Sequence, residues 1–496
     1  MNTKVRVRFA PSPTGRMHVG NFRGALYNYL FARQLGGVFY LRIEDTDRLR
    51  YVEGGTENIL RTIKRMGLDY DEGPFLNEDG KIVEKGALGP YVQSVRLPLY
   101  AEYAERLVAE GKAYRCYCSS ERLAELRQSQ ELQKLPPGYD GRCRNLEPAE
   151  VRERLERGEP HVIRFNMPKA GETVIKDLVR GEVTFQNALQ EDFVILKSDG
   201  FPTYHLASIV DDHLMQTTHV IRGEEWLASI PKHVQLYKEL GWDCPAFAHL
   251  PLLLNPDRSK LSKRQGDVAV EDYLEAGYLP EALINFVALL GWSPGASEQE
   301  IYSLSELVEK FDLKGVNSSG AVFNREKLDW LNGKYLRALT PAEFARRARP
   351  FLEPVAPAAA KMSDDDLGEI LSLEQERVHT LKEVPEAVAF LLAESLEYPK
   401  EMLVWKKSDA VQAKERLVAL KEFITGLDEA VFAREKLEEK LCALIIERGW
   451  GNGDTLWPLR VALSGRDKSP GPFEIMEVLG KMKSLGRIEA ALYRLA

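Results

Sequence analysis

The chain is predicted to fold as an α/β front half built on a parallel sheet, followed by an all-helical back half. Three observations predict this. Short apolar runs alternate with helical periodicity over roughly the first 70 residues, and the same alternation returns after about residue 190. Beyond about residue 330 strand signals nearly vanish.

Each element follows from its residues. Positions 5–9 (Val-Arg-Val-Arg-Phe) read as a buried strand. Pro11-Ser12-Pro13-Thr14-Gly15 must be a loop, because proline fixes φ and lacks an N–H. Over 21–35 the residues Phe22, Leu26, Tyr29, Leu30 and Ala32 recur at helical spacing. A second strand is expected at 38–43 and a second helix at 55–66, which opens a parallel sheet. The polar, Arg- and Glu-rich stretch at about 101–190 reads as an insertion into that sheet. The pattern resumes with strands at 193–196 and 219–221 and a helix at 230–240. In the back half, 369–394 and 411–448 are rich in Leu, Ala, Glu and Lys with apolar residues three and four apart. Residues 354–357 and 451–453 read as linkers, and no internal repeat is evident.

Composition narrows the function classes. Hydrophobic residues at 44% and charged residues at 29% match a soluble globular protein, and 496 residues suggest about three to five structural units. No apolar run approaches the roughly 18 residues of a membrane span, so no membrane partner is expected. The first nine residues lack a signal-peptide core, so the chain is expected in the cytoplasm. Five cysteines, an odd number, argue against a disulfide framework. A net charge of −8 counts against non-specific coating of nucleic acid, though not against a local basic face. Lys112, Arg115, Arg122, Arg127, Lys134, Arg142 and Arg144 form one candidate face, or else a solvated helix surface.

Two motifs point to a nucleotide. The loop 11–20 runs from a strand into a helix, whose unpaired N–H groups suit phosphate. His18 sits at that junction as a phosphate donor or a helix cap, and Gly20 lets a base or ribose approach the backbone. Lys260-Leu261-Ser262-Lys263-Arg264 then puts three cations on a loop after the turn-like Asn255-Pro256-Asp257.

Here the residues resemble a family. Ala10-Pro11-Ser12-Pro13-Thr14-Gly15 with His18-Val19-Gly20-Asn21, and then residues 260–264, look like the two signature motifs of class I aminoacyl-tRNA synthetases. The Ser-Pro-Thr-Gly form resembles the bacterial-type glutamyl branch. Further matches are Leu41-Arg42-Ile43-Glu44-Asp45-Thr46-Asp47, Asp199-Gly200-Phe201-Pro202-Thr203-Tyr204-His205-Leu206, Val220-Ile221-Arg222-Gly223-Glu224-Glu225-Trp226 and Leu328-Asp329-Trp330-Leu331-Asn332, in family order. Asn21 departs from the histidine that ends the general class I motif.

The resemblance implies a Rossmann-like class I catalytic domain in two halves (1–100 and 191–250). It implies an inserted α+β segment for the tRNA acceptor end (101–190), a stem-contact domain with the lysine loop (251–335), and a helical anticodon-binding region (336–496). The implied reaction activates L-glutamate with ATP and Mg²⁺, then loads tRNA(Glu), with tRNA required for activation. His18, Lys260, Lys263 and Arg264 would act on the triphosphate by positioning and charge stabilisation, with Lys263 foremost. Gly20, Glu225 and Trp226 would flank the adenosine. Arg8 and Arg222 would hold glutamate, with Ser12, Glu44, Tyr204 and His205 completing the pocket. Glutamine would leave a buried arginine without its anion, a penalty of roughly 3–5 kcal/mol. Aspartate differs by one methylene, worth about 1–3 kcal/mol, so its rejection must rest on reach.

Cys116, Cys118 and Cys143 resemble part of a zinc site that some family members carry. The fourth position is Asn145, one ligand short of a tetrahedral set. Arg377 occupies a position where discriminating glutamyl enzymes place an anticodon-reading arginine, though a surface ion pair suits it as well. The family is usually monomeric. Alternatives stay open: a form that also charges tRNA(Gln), a truncated relative acting on a modified tRNA base, a nucleotidylyltransferase, or a non-catalytic tRNA- or partner-binding scaffold.

Overall fold

The computed structural model describes residues 4–261, 268–295 and 298–496. Its contacts separate two units, Met1–Leu274 with Pro280–Arg325, and Glu275–Leu279 with Glu326–Ala496.

The first unit opens with β1 (Arg6–Phe9), α1 (Val19–Gln34) and β2 (Val38–Leu41). β1 and β2 pair in parallel, with Arg8 opposite Tyr40. α2 (Gly55–Arg65) and a hairpin of β3 (Gly73–Leu76) and β4 (Ile82–Lys85) follow. The insertion comprises α3 (Leu97–Ala109), β5 (Ala113–Cys116), α4 (Ser120–Leu132), α5 (Pro148–Glu156), β6 (Val162–Phe165), β7 (Glu172–Asp177) and β8 (Gly181–Gln186). β5 and β6 join β9 (Val194–Leu196) in an antiparallel sheet, and β7 and β8 form a hairpin. After α6 (Tyr204–Leu214) come β10 (His219–Gly223), α7 (Ile230–Glu239) and β11 (Ala246–Leu250). β10 and β11 run parallel, with Arg222 opposite His249.

Thr218 N donates to Arg6 O (2.9 Å), which sets β10 beside β1 and gives the spatial order β2, β1, β10, β11. The chain steps outward from β1 to β2 and later returns on the other side with β10. The carboxyl ends of β1 and β10 therefore meet at the point where an open α/β sheet leaves a crevice. α1 is buried on almost every face, from Val19 and Phe22 to Phe31 and Ala32, because it lies between the strands and the 280–310 helices. Such all-round burial explains why its apolar residues are not confined to one stripe.

The second unit is helical. The 369–394 stretch is not continuous: Asp364–Gln375 and Val384–Leu392 are separate helices. Pro385 lies in the first turn of the latter, where its missing N–H costs nothing. Likewise 411–448 divides into Ala410–Thr425 and Arg434–Glu447, with Gly426 ending the first. The linker expected at 451–453 instead starts a helix, Asn452–Ser464, with Gly451 at its N-cap. The one expected at 354–357 runs into the short helix Pro357–Ala360. No described helix is long and apolar enough to cross a membrane.

Candidate functional site

A cleft of about 1230 Å³ opens at the carboxyl ends of β1 and β10, within the first unit. Of the residues expected from sequence, it brings together Arg8, Ser12, His18, Gly20, Glu44, Tyr204, Arg222, Glu225, Trp226 and Lys260.

His18 is the N-cap of α1, and its Nδ1 accepts the Gly20 N–H at 2.9 Å. A neutral ring bonded this way carries its proton on Nε2, which is then the donor nitrogen. A Cβ on Gly20 would stand 3.0 Å from that Nδ1, so glycine is needed for the close approach. The cap and the phosphate-donor readings of His18 are thus compatible. Val19 N donates to Val268 O (2.8 Å), and Leu261 N to Leu253 O (2.9 Å). Lys263 and Arg264 lie outside the described residues.

Beneath the cleft is a buried ionic network. Asp212 Oδ1 and Oδ2 accept from Arg8 Nε (3.0 Å) and Nη2 (3.2 Å), and Oδ1 also accepts from Arg42 Nη1 (2.7 Å). Arg42, wholly buried, donates Nη2 to Glu44 Oε1 at 2.8 Å. Asp211 is held by Gln93, Arg96 and Tyr100 (2.7–3.0 Å). Burial works against the Asp212 charge, but the Arg8 and Arg42 guanidinium groups win and push its pKa down to about 2. Burial raises the Glu44 carboxyl in spite of Arg42. Of the five Arg8 N–H groups, Asp212 takes two, and among the described residues the Nη1 pair has no acceptor. Sequence reading missed Arg42, Asp211 and Asp212. The available signal was an Asp-Asp pair closing the otherwise apolar run 206–210 on α6.

Arg222 ends β10 on the opposite wall. It donates Nε to His249 Nε2 (3.1 Å), Nη1 to Tyr204 OH (2.7 Å) and Nη2 to Trp226 O (3.3 Å). Among the described residues one N–H on each terminal nitrogen is left, enough for an end-on carboxylate. Tyr204 and Trp226 pack with ring centroids 4.1 Å apart. His205 is not in the cleft lining: its Nδ1 is 3.1 Å from His233 Nε2 and its ring meets Phe193 edge-on. Burial pushes its pKa down to about 3, so the ring is neutral at ordinary pH.

The three cysteine sulfurs of Cys116, Cys118 and Cys143 lie within 4.8 Å of one another. Asn145 is exposed. Tyr139 instead joins the cluster, its hydroxyl 3.3 Å from Cys116 Sγ, 3.7 Å from Cys118 Sγ and 2.9 Å from Cys143 N. Three converging thiols supply three of the four ligands of a tetrahedral zinc, and the Tyr139 hydroxyl beside them is a hydrogen-bond partner of the sulfurs. The candidate basic face of the insertion is largely neutralised. Lys112 pairs with Glu239 (2.6 Å), Arg115 with Glu105 (2.5 Å), Arg122 with Asp140, and Arg144 with Asp192 (3.3 Å). In the second unit Arg377, about half exposed, donates to Ser469 O (3.0 Å) and stands 3.9 Å from Glu374.

Comparison with known proteins closes the question of kinship. Residues 4–330 match the family described as tRNA synthetases class I (E and Q), catalytic domain, and 343–492 match an anticodon binding domain. The glutamate–tRNA ligase of Dehalococcoides mccartyi strain 195 is 49% identical over 499 residues, covering 100% of this chain and 99% of its own. That of Moorella thermoacetica is 45% identical, covering 98% of each chain. The crystal structure of a glutamate tRNA ligase from Elizabethkingia meningosepticum, in complex with its amino acid, superposes with a TM-score of 0.88. It has 38% identity and covers 99% of this chain and 100% of that one. The protein belongs to the glutamate–tRNA ligase family of class I aminoacyl-tRNA synthetases.

Proposed function

We propose that the cleft activates L-glutamate with ATP and that the enzyme then loads the glutamyl group onto the 3′ end of tRNA(Glu). The observation that carries this reading is the pairing of two functions in one cleft. A capped helix N-terminus with His18 stands at one side, and the spare N–H groups of Arg8 and Arg222 lie with the Glu44 carboxylate at the other.

In the first step an oxygen of the glutamate α-carboxylate bonds to the α-phosphorus, and the bond to the bridging oxygen breaks, releasing pyrophosphate. In the second, the terminal ribose hydroxyl attacks the carbonyl carbon and AMP departs. The protein contributes position and charge. Arg8 and Arg222 suit the substrate carboxylates, and Glu44 suits the α-ammonium, whose approach favours the ionised form of that carboxyl. The His18 Nε2–H, Lys260 and, by family resemblance, Lys263 and Arg264 suit the triphosphate. Magnesium would be held mainly by the triphosphate and would neutralise phosphate charge, while Glu225 and Trp226 in the cleft lining suit the adenosine.

The inserted segment is assigned to the acceptor end and the second unit to the anticodon arm, with Arg377 as one reader; the match of 343–492 to an anticodon binding domain supports the latter. Zinc would be held by Cys116, Cys118 and Cys143, in a structural role, with the Tyr139 hydroxyl hydrogen-bonded beside the sulfurs. Amino-acid-dependent pyrophosphate exchange tests the activation step. Exchange is expected with glutamate, and only when tRNA is present; exchange driven equally well by glutamine, or by none of the amino acids, would overturn the reading. Charging tRNA(Glu) and tRNA(Gln) side by side decides whether the second is also a substrate.

A further inference from the structure

We propose that Asp177 and His249 form a positioning dyad that sets the orientation of Arg222, and through it the affinity for glutamate. The proposal rests on the reading of Arg222 as a glutamate-binding residue.

The two side chains are fully buried and come from different layers: Asp177 ends β7 in the insertion, and His249 lies on β11 beside Arg222 on β10. Asp177 Oδ2 is 2.6 Å from His249 Nδ1, and His249 Nε2 is 3.1 Å from Arg222 Nε. A guanidinium nitrogen can only donate, so Nε2 must be the acceptor and the ring proton must sit on Nδ1. Only a proton acceptor beyond Nδ1 holds that tautomer, and Asp177 Oδ2 is that acceptor. The other oxygen, Oδ1, is pinned by the N–H groups of Val179 and Arg180 (both 3.0 Å) and His249 (3.3 Å). The carboxylate therefore cannot turn, and neither can the ring. Arg222 is left with its spare N–H groups directed by three fixed partners.

Asp177→Asn tests this with almost no change in shape. The three backbone donors keep the amide oxygen at the Oδ1 position, so the NH₂ replaces Oδ2 and donates to Nδ1. The ring proton then moves to Nε2 and faces the Arg222 Nε–H. In tRNA-charging kinetics, KM for glutamate should rise about tenfold to a hundredfold, the usual loss for a charge-assisted hydrogen bond, while KM for ATP holds. His249→Gln offers Arg222 an amide oxygen that needs no Asp177. In that background D177N should change KM for glutamate less than about twofold, a non-additivity that reports coupling.

The same rise in both backgrounds, no rise in either, or a parallel rise for ATP with loss of folded protein overturns the dyad. Arg222→Gln separates the two readings. If it leaves KM for glutamate unchanged, the pocket assignment fails and the dyad with it; if it raises KM while D177N does not, the dyad alone fails.

Discussion

Replacing Asp212 by Asn should be the most damaging isosteric change beneath the cleft. Its carboxylate accepts from both Arg8 and Arg42, and the three side chains are about 5% exposed or less. Removing one member of a buried ion pair leaves an uncompensated charge and typically costs 3–5 kcal/mol. Here two guanidinium groups lose a shared anion, and the new amide N–H turns a donor toward one of them. A loss at the upper part of that range, about 4–5 kcal/mol, is expected, roughly 6–15 °C in the melting of the first unit. Linkage supplies a second, independent figure. Lowering the carboxyl from its ordinary 3.8 to about 2 is worth about 2 kcal/mol at neutral pH. Because the folded pKa is depressed, that stability is present above about pH 4 and is lost as pH falls toward 2. The gap between parent and variant should accordingly narrow by about 2 kcal/mol over the same interval. Denaturant melts from pH 7 to pH 2 on both proteins measure this, with Glu110→Gln, at an exposed pair, as a control expected to change nothing. A variant within about 1 kcal/mol of the parent at pH 7 would refute the claim that this anion neutralises two buried arginines.

Three further outcomes follow from the geometry. Gly20→Ala places a methyl 3.0 Å from His18 Nδ1 and should break the cap. Pyrophosphate exchange should fall about tenfold or more, with KM for ATP raised and KM for glutamate unchanged. His205→Gln should leave KM for glutamate and the pH profile between 5 and 8 as they are, because the ring lies off the cleft and is already neutral there. Its folded pKa is lowered, so burying the neutral ring weakens stability only as pH falls below the ordinary value of 6.5 toward 3. Metal analysis of the purified protein should find one zinc per chain; Cys143→Ser should abolish it, and Tyr139→Phe, which removes a hydrogen bond to the sulfurs, should weaken chelator resistance about 10- to 100-fold.

Much of the site was legible because its signals are local. His18, Gly20 and Ser12 fall on one strand–loop–helix turn, and the cationic 260–264 loop is contiguous. Glu44 follows β2 and Arg222 lies at the end of β10, strands whose apolar patterns are plain. The helical breaks at 376–383 and 426–433 were harder, since the same Leu/Ala/Glu/Lys composition continues through them and only Pro385 and Gly426 mark the ends.

What the order of residues determined by itself is the class of protein: alternation of period two and period 3.6 set the layers, and short motifs named the chemistry. What tertiary structure alone decided is which charges face one another. Arg8 meets Asp212 across 204 positions, Arg222 meets His249 across 27, and His249 meets Asp177 across 72. Periodicity places a side chain on a face, but a hydrogen bond depends on an ångström-scale distance between faces of different elements. For that reason Arg8 and Arg222 could be nominated from the chain, while Asp212 and His249 that hold them, and the tyrosine beside the cysteine cluster, emerged only once the strands were packed.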